Sequence, residues 1–98
     1  MGKKSFEEIL EETAEMMFSE DYKERFKAEY YQILIRAVRL NAMLCCWDNG
    51  EPNFEPACPK STYKMQFKAM MDYINILEAR AAIEKIDLEY TDIRRILD

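Results

Sequence analysis

The chain has no histidine among its 98 residues, and it has only two glycines and three prolines. Histidine is the commonest general base and metal ligand near neutral pH, so its absence argues against catalysis and we expect no enzyme. Glycine and proline interrupt helices, and their scarcity therefore predicts long helices. No apolar run approaches the roughly 20 residues that span a bilayer, so we expect neither a transmembrane helix nor a membrane partner.

The basic residues are balanced or outnumbered by acidic residues along the whole chain, so we expect no basic face. The net charge of −5 arises in residues 1–21, which hold two lysines and seven acidic residues, whereas the twelve basic and twelve acidic residues that follow cancel. A nucleic acid polymer requires a basic surface, so we expect no such partner. Hydrophobic residues make up 49% of the chain and charged residues 34%. This balance suits amphipathic helices in one domain that spans residues 1–98.

The three cysteines, Cys45, Cys46 and Cys58, are odd in number, and no secretory signal precedes them. This usage is typical of reduced thiols in a cytoplasmic protein. Their spacing matches no zinc site and a fourth ligand is missing, so we expect no metal and no other cofactor. We expect these side chains to be buried at one end of a helical hairpin, where they would behave as small hydrophobic residues.

The acidic N-terminal segment, residues 1–20, carries a helix-start signal. Ser5-Phe6-Glu7-Glu8 has the S-x-x-E form of a capping box. Apolar residues then recur near helical spacing. They predict a short amphipathic helix from about Phe6 to Phe18 with a glutamate-rich outer face.

A second helix is predicted from Asp21 to about Trp47, where neither glycine nor proline occurs. Its apolar residues form two series with steps of three and four. The first series is Phe26, Tyr30, Ile33, Ala37, Leu40, Leu44 and Trp47, and the second series is Tyr31, Leu34, Val38, Ala42 and Cys45. One partner helix covers only one narrow stripe, so we expect the second series to contact another protomer.

A third helix, capped by Ser61 or Thr62, is predicted to run to about Ile86 and to pair antiparallel with the second. Its apolar residues also form two series. The series expected to close the hairpin is Tyr63, Phe67, Met70, Ile74, Leu77 and Ala81, and the other is Ala69, Tyr73, Ile76, Arg80 and Ile83. The loop before it, residues 51–59, is expected to be ordered and to carry one apolar anchor, Phe54.

These patterns predict an all-α fold in which a long antiparallel helical hairpin, residues 21–86, follows a short N-terminal amphipathic helix. The tail, residues 87–98, is predicted to be either a short C-terminal helix capped by Asp87 or a bent helical extension. Both hairpin helices carry more apolar surface than one hairpin can bury. We therefore expect the chain to form a homo-oligomer.

Arg80 interrupts the second apolar series of the third helix. An arginine at such a position is costly to bury unless it meets an anion, an acid or solvent. It is therefore a candidate phosphate-binding residue, and copies converging on a symmetry axis would repel one another without an anion between them. The alternative is an ion pair with Glu84 or Glu78, or simple exposure.

The second helix carries a basic stripe beside aromatic residues. The residues of this stripe are Arg25, Glu29, Gln32, Arg36 and Arg39, with Tyr22 and Tyr30 nearby. Arginines in this arrangement could clamp phosphates while a tyrosine stacks on a base. The alternative is an ordinary solvated face with ion pairs at i and i+4, such as Arg25 with Glu29.

Residues 21–86 resemble a small hairpin family of phages and prophages, whose pattern is E-x-x-x-L-x-x-R-x-x-x-L, a loop, then Q-x-x-x-M-x-x-Y-x-x-x-L-x-x-R. The matching residues are the run 21–30, Arg36, Leu40, Met65, Gln66, Met70, Tyr73, Leu77, Glu78 and Arg80. Characterised members are similar to anti-CBASS and anti-Thoeris sponges, hexamers that sequester nucleotide signals of bacterial defence.

The resemblance implies a hexameric phage immune-evasion protein in the cytoplasm of an infected bacterium. Such a protein would sequester a cyclic di- or trinucleotide or an ADP-ribose-type signal without catalysis. The ligand-binding residues it suggests are Arg80, Tyr73, Arg36, Arg39, Arg25 and Tyr22. Two alternatives stay open. The acidic first helix could imitate nucleic acid and dock on a host nuclease, or the chain could be a structural helical oligomer.

Overall fold

The computed structural model describes residues 3–50, 52 and 54–98, and this part of the chain contains four helices and no strand. The helices are α1 (Phe6–Met16), α2 (Tyr22–Asp48), α3 (Lys60–Glu84) and α4 (Thr91–Arg95). The all-α prediction of a long helix pair with short terminal helices is therefore confirmed. Among the described residues, no helix is both long enough and apolar enough to cross a membrane.

The start of α1 confirms the predicted capping box. The Ser5 hydroxyl accepts a hydrogen bond from the Glu8 backbone N–H at 3.1 Å, and the Glu8 carboxylate accepts one from the Ser5 N–H at 3.4 Å. The helix ends at Met16, two residues earlier than expected, and buries Ile9 and Thr13 completely. Because these two residues lie on one face at i and i+4, α1 packs along α2 as an amphipathic helix.

The hairpin closes through the first apolar series of each long helix, as predicted. The Asp21 carboxylate accepts the Lys23 N–H at 2.9 Å and caps α2. The buried residues of this seam are Phe26, Tyr30, Ala37, Leu44, Met70, Ile74, Leu77 and Ala81. At the loop end of the hairpin, the rings of Trp47 and Tyr63 lie 6.1 Å apart.

The second apolar series of α2 was wrongly expected to face another protomer. Its first three members, Tyr31, Leu34 and Val38, are buried within the chain itself. The Tyr31 hydroxyl accepts the Glu89 N–H at 3.1 Å, and its ring meets Tyr90 edge to face at 4.8 Å. The terminal segments therefore cover this series, because α1 and the tail are apolar on their inner faces.

The start of α3 and the tail also correct the sequence interpretation. Neither Ser61 nor Thr62 caps α3, because the helix begins at Lys60, directly after Pro59 in an extended conformation. The helix ends at Glu84 because Lys85 adopts the left-handed conformation with φ 59°. Of the two alternatives for the tail, the structure shows a separate short helix, and the residue before it is Tyr90 rather than Asp87.

The hairpin end is more exposed than predicted. Cys45, Cys46 and Cys58 are all exposed, so the expectation that they are buried is wrong. The cysteines are exposed because α1 does not extend far enough along α2 to cover them: its first residue, Phe6, lies beside Arg39. The last turns of α2, which carry Cys45 and Cys46, extend beyond the start of α1. Phe54 is exposed and does not anchor its loop, and loop residues 51 and 53 lie outside the described residues.

Candidate functional site

A cavity of about 360 Å³ opens where α2, α3 and the turn after α1 meet. The lining residues are Met17, Arg25, Glu29, Gln32, Ile33, Arg36 and Tyr73. Small-molecule sites are concave, of similar volume, and combine apolar walls with a few polar groups that orient the ligand. We refer to this cavity as the arginine pocket.

Helical spacing on α2 brings the polar residues of the arginine pocket together. Arg25, Glu29, Gln32 and Arg36 follow one another at steps of four, three and four, which places them along one face of the helix. The opposite wall comes from α3, where the Tyr73 hydroxyl donates a hydrogen bond to the Glu29 carboxylate. The two hairpin helices therefore form this pocket jointly.

Gln32 is held in place by α1. Its side-chain amide donates hydrogen bonds to the Thr13 hydroxyl at 3.1 Å and to the Met17 sulfur at 2.9 Å. Thr13 is fully buried and donates its own hydroxyl proton to the Leu10 carbonyl at 2.7 Å. Because α1 fixes Gln32 in this way, the N-terminal segment contributes to the rigidity of the arginine pocket.

The two guanidinium groups of the arginine pocket are not neutralised by ion pairs within the described part of the chain. The alternative that Arg25 pairs with Glu29 is not realised. Arg25 instead donates to the Ser19 carbonyl at 2.7 Å, while Glu29 accepts the Tyr73 hydroxyl. Arg36 is exposed at the rim. Two arginines against one glutamate make the pocket attractive to an anion.

Arg80 belongs to a different cluster, at the other end of the hairpin from the loop. Its guanidinium donates to the Tyr22 hydroxyl at 2.6 Å and to the Glu84 carboxylate at 3.2 Å, and it lies 4.9 Å above the Phe26 ring. Of the two ion pairs expected as alternatives for Arg80, the one with Glu84 is therefore present. Glu78 has other partners: it accepts from Tyr30 at 2.6 Å and from Arg94 at 2.7 Å.

The charges of the Arg80 cluster perturb one another. The hydrogen bond from Tyr22, followed by the nearby Arg80, lowers the pKa of Glu84. The hydrogen bond to Glu84 raises the pKa of Arg80 and also that of Tyr22. All three groups therefore keep their ordinary charge states at neutral pH, with Glu84 neutralising Arg80.

The six candidate residues predicted from the sequence occupy three places. Three of them, Arg25, Arg36 and Tyr73, line the arginine pocket. Tyr22 and Arg80 form the second cluster, and Arg39 contacts α1, where it donates to Glu7 at 3.2 Å and lies 5.8 Å from the Phe6 ring centre.

Two apolar residues of the arginine pocket were missed from the sequence. Ile33 was assigned to the hairpin seam alone, and Met17 was predicted only to fall within the first helix. No pattern along one helix reveals that the end of α1 lies over the middle of α2. Such contacts follow from tertiary packing, which local spacing does not report.

No set of three or more Asp, Glu or Cys side chains suited to holding a metal ion occurs among residues 3–50, 52 and 54–98.

A comparison with protein families shows that the family described as Sequestin matches residues 20–83. This span covers α2, all of α3 except its last residue, and every lining residue of the arginine pocket except Met17. No curated protein and no solved structure matches the chain significantly.

Proposed function

Because this chain belongs to the Sequestin family, we propose that it binds a small signalling molecule and sequesters it without chemical change. The family name indicates a sequestering protein, and the matched residues 20–83 contain the arginine pocket. The chain has no histidine. The pocket's only carboxylate, Glu29, is occupied by the Tyr73 hydroxyl. Both features favour binding over catalysis.

The ligand we propose is a cyclic di- or trinucleotide or an ADP-ribose-type signal, and the protein acts for a phage in the cytoplasm of its bacterial host. The observation that carries this proposal is the pairing of two guanidinium groups, Arg25 and Arg36, with an aromatic wall, Tyr73, around one cavity. Guanidinium groups suit phosphate oxygens. Aromatic and apolar surfaces suit a nucleobase.

Arg80 remains a second candidate for phosphate binding. Its guanidinium is neutralised by Glu84 and hydrogen-bonded to Tyr22. An anionic ligand at this position would have to displace the Glu84 carboxylate, whereas a ligand at Arg36 displaces no ion pair in the described part of the chain. The arginine pocket is therefore the favoured site.

The proposal is tested by native mass spectrometry of the protein with a panel of cyclic di- and trinucleotides and cyclic ADP-ribose isomers. We expect one or more of these molecules to be retained and to be recovered intact after heat denaturation. Failure to retain any member of the panel would contradict the proposal. Recovery of a cleaved product would contradict the non-catalytic part of it. The same spectra report the number of protomers and so test the hexamer that the family resemblance implies.

A second candidate function rests on the outer face of α1, where Glu8, Glu11, Glu12 and Glu15 surround one shallow depression. Such an acidic face could imitate nucleic acid and dock on the basic groove of a host nuclease. Deleting residues 1–20 would not test this idea cleanly, because α1 contributes Ile9 to the core.

The sharper test of the second candidate replaces only Glu11 and Glu15, which are exposed and lie one turn apart. The variant Glu11→Gln with Glu15→Gln leaves the arginine pocket unchanged, so it should bind a retained nucleotide as the parent does under either function. If the acidic face is functional, the parent inhibits a nuclease and the variant loses that inhibition. A variant that inhibits the nuclease as the parent does would contradict this second candidate.

A further inference from the structure

The outer face of α3 carries exposed apolar side chains along its length. All five members of its second series, Ala69, Tyr73, Ile76, Arg80 and Ile83, are exposed, with Ile76 at 59% and Ile83 at 79%. The second series of α2 is covered by α1 and the tail, but no described element covers this face. Large apolar side chains gathered on one face of a soluble helix indicate an interface.

The charges on this face are arranged around a central uncharged residue, with opposite signs at equal distances on its two sides. Residues four apart form a ridge along a helix, and one such ridge of α3 reads Lys68, Asp72, Ile76, Arg80 and Glu84. Lys68 and Arg80 are positive, Asp72 and Glu84 are negative, and the central Ile76 is uncharged. When the ridge is reversed about Ile76, every charge meets one of opposite sign, so it complements a reversed copy of itself.

From this pattern we propose that two copies of the chain pair through α3, antiparallel, about a two-fold axis that passes beside Ile76. Ile76 then packs on Ile76 of the second copy. Each copy's Lys68 faces the other's Glu84, and each Asp72 faces the other's Arg80. An interface of this kind is isologous, because the same patch serves both protomers.

The adjoining apolar residues support the same register. The two-fold axis beside Ile76 places Ala69 of one copy opposite Ile83 of the other. The large exposed side chain of Ile83 then packs against the small side chain of Ala69. The paired ridges run from Lys68 to Glu84, which are about 24 Å apart along the helix axis. Contacts over this length bring the exposed apolar side chains of both copies out of water together.

The charges also disfavour a parallel pair in register. In a parallel pair in register, Lys68 would face Lys68 and Arg80 would face Arg80, which is repulsive. Within one protomer, the ion pairs among these side chains lie at the surface, Lys68 with Asp72 at 3.3 Å and Arg80 with Glu84 at 3.2 Å. Such pairs contribute little alone. In the antiparallel dimer each charge acquires a second partner of opposite sign.

The interface borders the arginine pocket, because Tyr73 belongs to both. The second copy's α3 would therefore form an additional wall near the ligand. The dimer itself does not rest on the proposed function, since it follows from the charges and exposure of α3 alone. A chain that dimerises but retains no nucleotide would contradict the proposed function and leave the interface intact.

The charge pattern permits a complementary pair of variants. Asp72→Arg places arginine opposite arginine in its own dimer, and Arg80→Asp places aspartate opposite aspartate. Each variant alone should dimerise at least about tenfold more weakly than the parent. Mixed in equal amounts, they should form a heterodimer in which both contacts are again oppositely charged, and native mass spectrometry distinguishes the three species by mass.

A cross-link tests the position of the axis independently of the charged residues. In a chain with Cys45→Ser, Cys46→Ser and Cys58→Ser, Ile76→Cys should form a disulfide-linked dimer, because residues on the axis approach within reach of a disulfide. The matched control is Met65→Cys, whose copies would lie about 33 Å apart across the axis. It should not form a cross-link.

Three results would overturn the proposed dimer. The parent chain could be monomeric at every concentration, both charge variants could assemble as the parent does, or Met65→Cys could cross-link as readily as Ile76→Cys. Circular dichroism of each variant shows that it is folded. If Arg80→Asp does not fold because it loses Tyr22 and Glu84, the cross-link alone decides.

Discussion

At the scale of single residues, Arg36 is the residue whose removal best separates binding from folding. It is exposed at the rim of the arginine pocket and forms no ion pair in the described part of the chain. Arg36→Ala should therefore leave the free energy of unfolding within about 0.5 kcal/mol of the parent. It should weaken nucleotide binding by about tenfold to a hundredfold, since a charge-assisted hydrogen bond is lost.

The matched control for Arg36 is Arg95→Ala, which removes an exposed arginine of α4 away from the arginine pocket. Isothermal titration of both variants with the retained nucleotide measures the difference. Equal affinities would place the ligand elsewhere on the molecule. In that case Arg80 becomes the next residue to replace.

Two buried tyrosines give the stability of the fold a dependence on alkaline pH. Burial raises the pKa of Tyr31 to about 12 from an ordinary value of 10.0. Burial and the Glu78 carboxylate raise the pKa of Tyr30 still further. Both hydroxyls are protonated in the folded and unfolded chains below pH 10. Above it the unfolded chain ionises first, so the free energy of unfolding falls as pH rises.

We expect a loss of about 1.4 kcal/mol per pH unit for each tyrosine between pH 10 and 12. Urea unfolding at several pH values measures the slope. Tyr31→Phe should be slightly less stable at neutral pH, because the Glu89 N–H loses its acceptor, but its stability should fall less steeply above pH 10. An unchanged slope would show that Tyr31 ionises freely in the fold.

At the scale of elements, α1 lies outside the family match but inside the core. Ile9 is 1% exposed, and the family match begins only at residue 20. Ile9→Ala should destabilise the protein by about 2–5 kcal/mol, as large-to-small core substitutions do. Glu11→Ala on the exposed face should change stability by less than about 0.5 kcal/mol. A small effect of Ile9→Ala in urea unfolding would mean that α1 docks only weakly.

Two residues between α3 and α4 adopt the left-handed backbone conformation, and their side chains contribute differently to stability. Lys85, with φ 59°, is exposed, so Lys85→Gly should raise the free energy of unfolding by about 1 kcal/mol through relief of backbone strain. Tyr90, with φ 65°, packs on Tyr31 at 4.8 Å. Tyr90→Gly should therefore destabilise the protein despite the same relief. Thermal unfolding of both variants compares them, and a destabilising Lys85→Gly would contradict this account.

At the scale of the whole molecule, the exposed thiols decide how assembly must be measured. Cys45, Cys46 and Cys58 are all exposed and unpaired in the described structure. Replacing all three with serine should change stability by less than about 0.5 kcal/mol per site. Without reductant, the parent should form disulfide-linked species that the triple variant does not form, which non-reducing electrophoresis reveals. A strongly destabilised triple variant would show that these thiols are packed.

The predictability of the arginine pocket varies among its residues. The spacing of Arg25, Glu29, Gln32 and Arg36 along one helix was sufficient to predict that they share a face. Tyr73 was suggested by the family resemblance, and its position opposite Glu29 follows from the antiparallel register. Met17 could not be found in this way, because its place over Gln32 depends on how α1 crosses α2.

The sequence by itself determined the helices and the seam between the two long ones, because apolar spacing and the caps Ser5 and Asp21 are local properties of the chain, although it did not give the start of α3. It also determined the excess of apolar surface on α3 and the balanced charges along its ridge. Only the tertiary structure decided that α1 and the tail cover the second series of α2. It also decided that Glu84 rather than Glu78 pairs with Arg80. These outcomes depend on which distant segments meet, and several pairings satisfy the same local pattern until the core selects one.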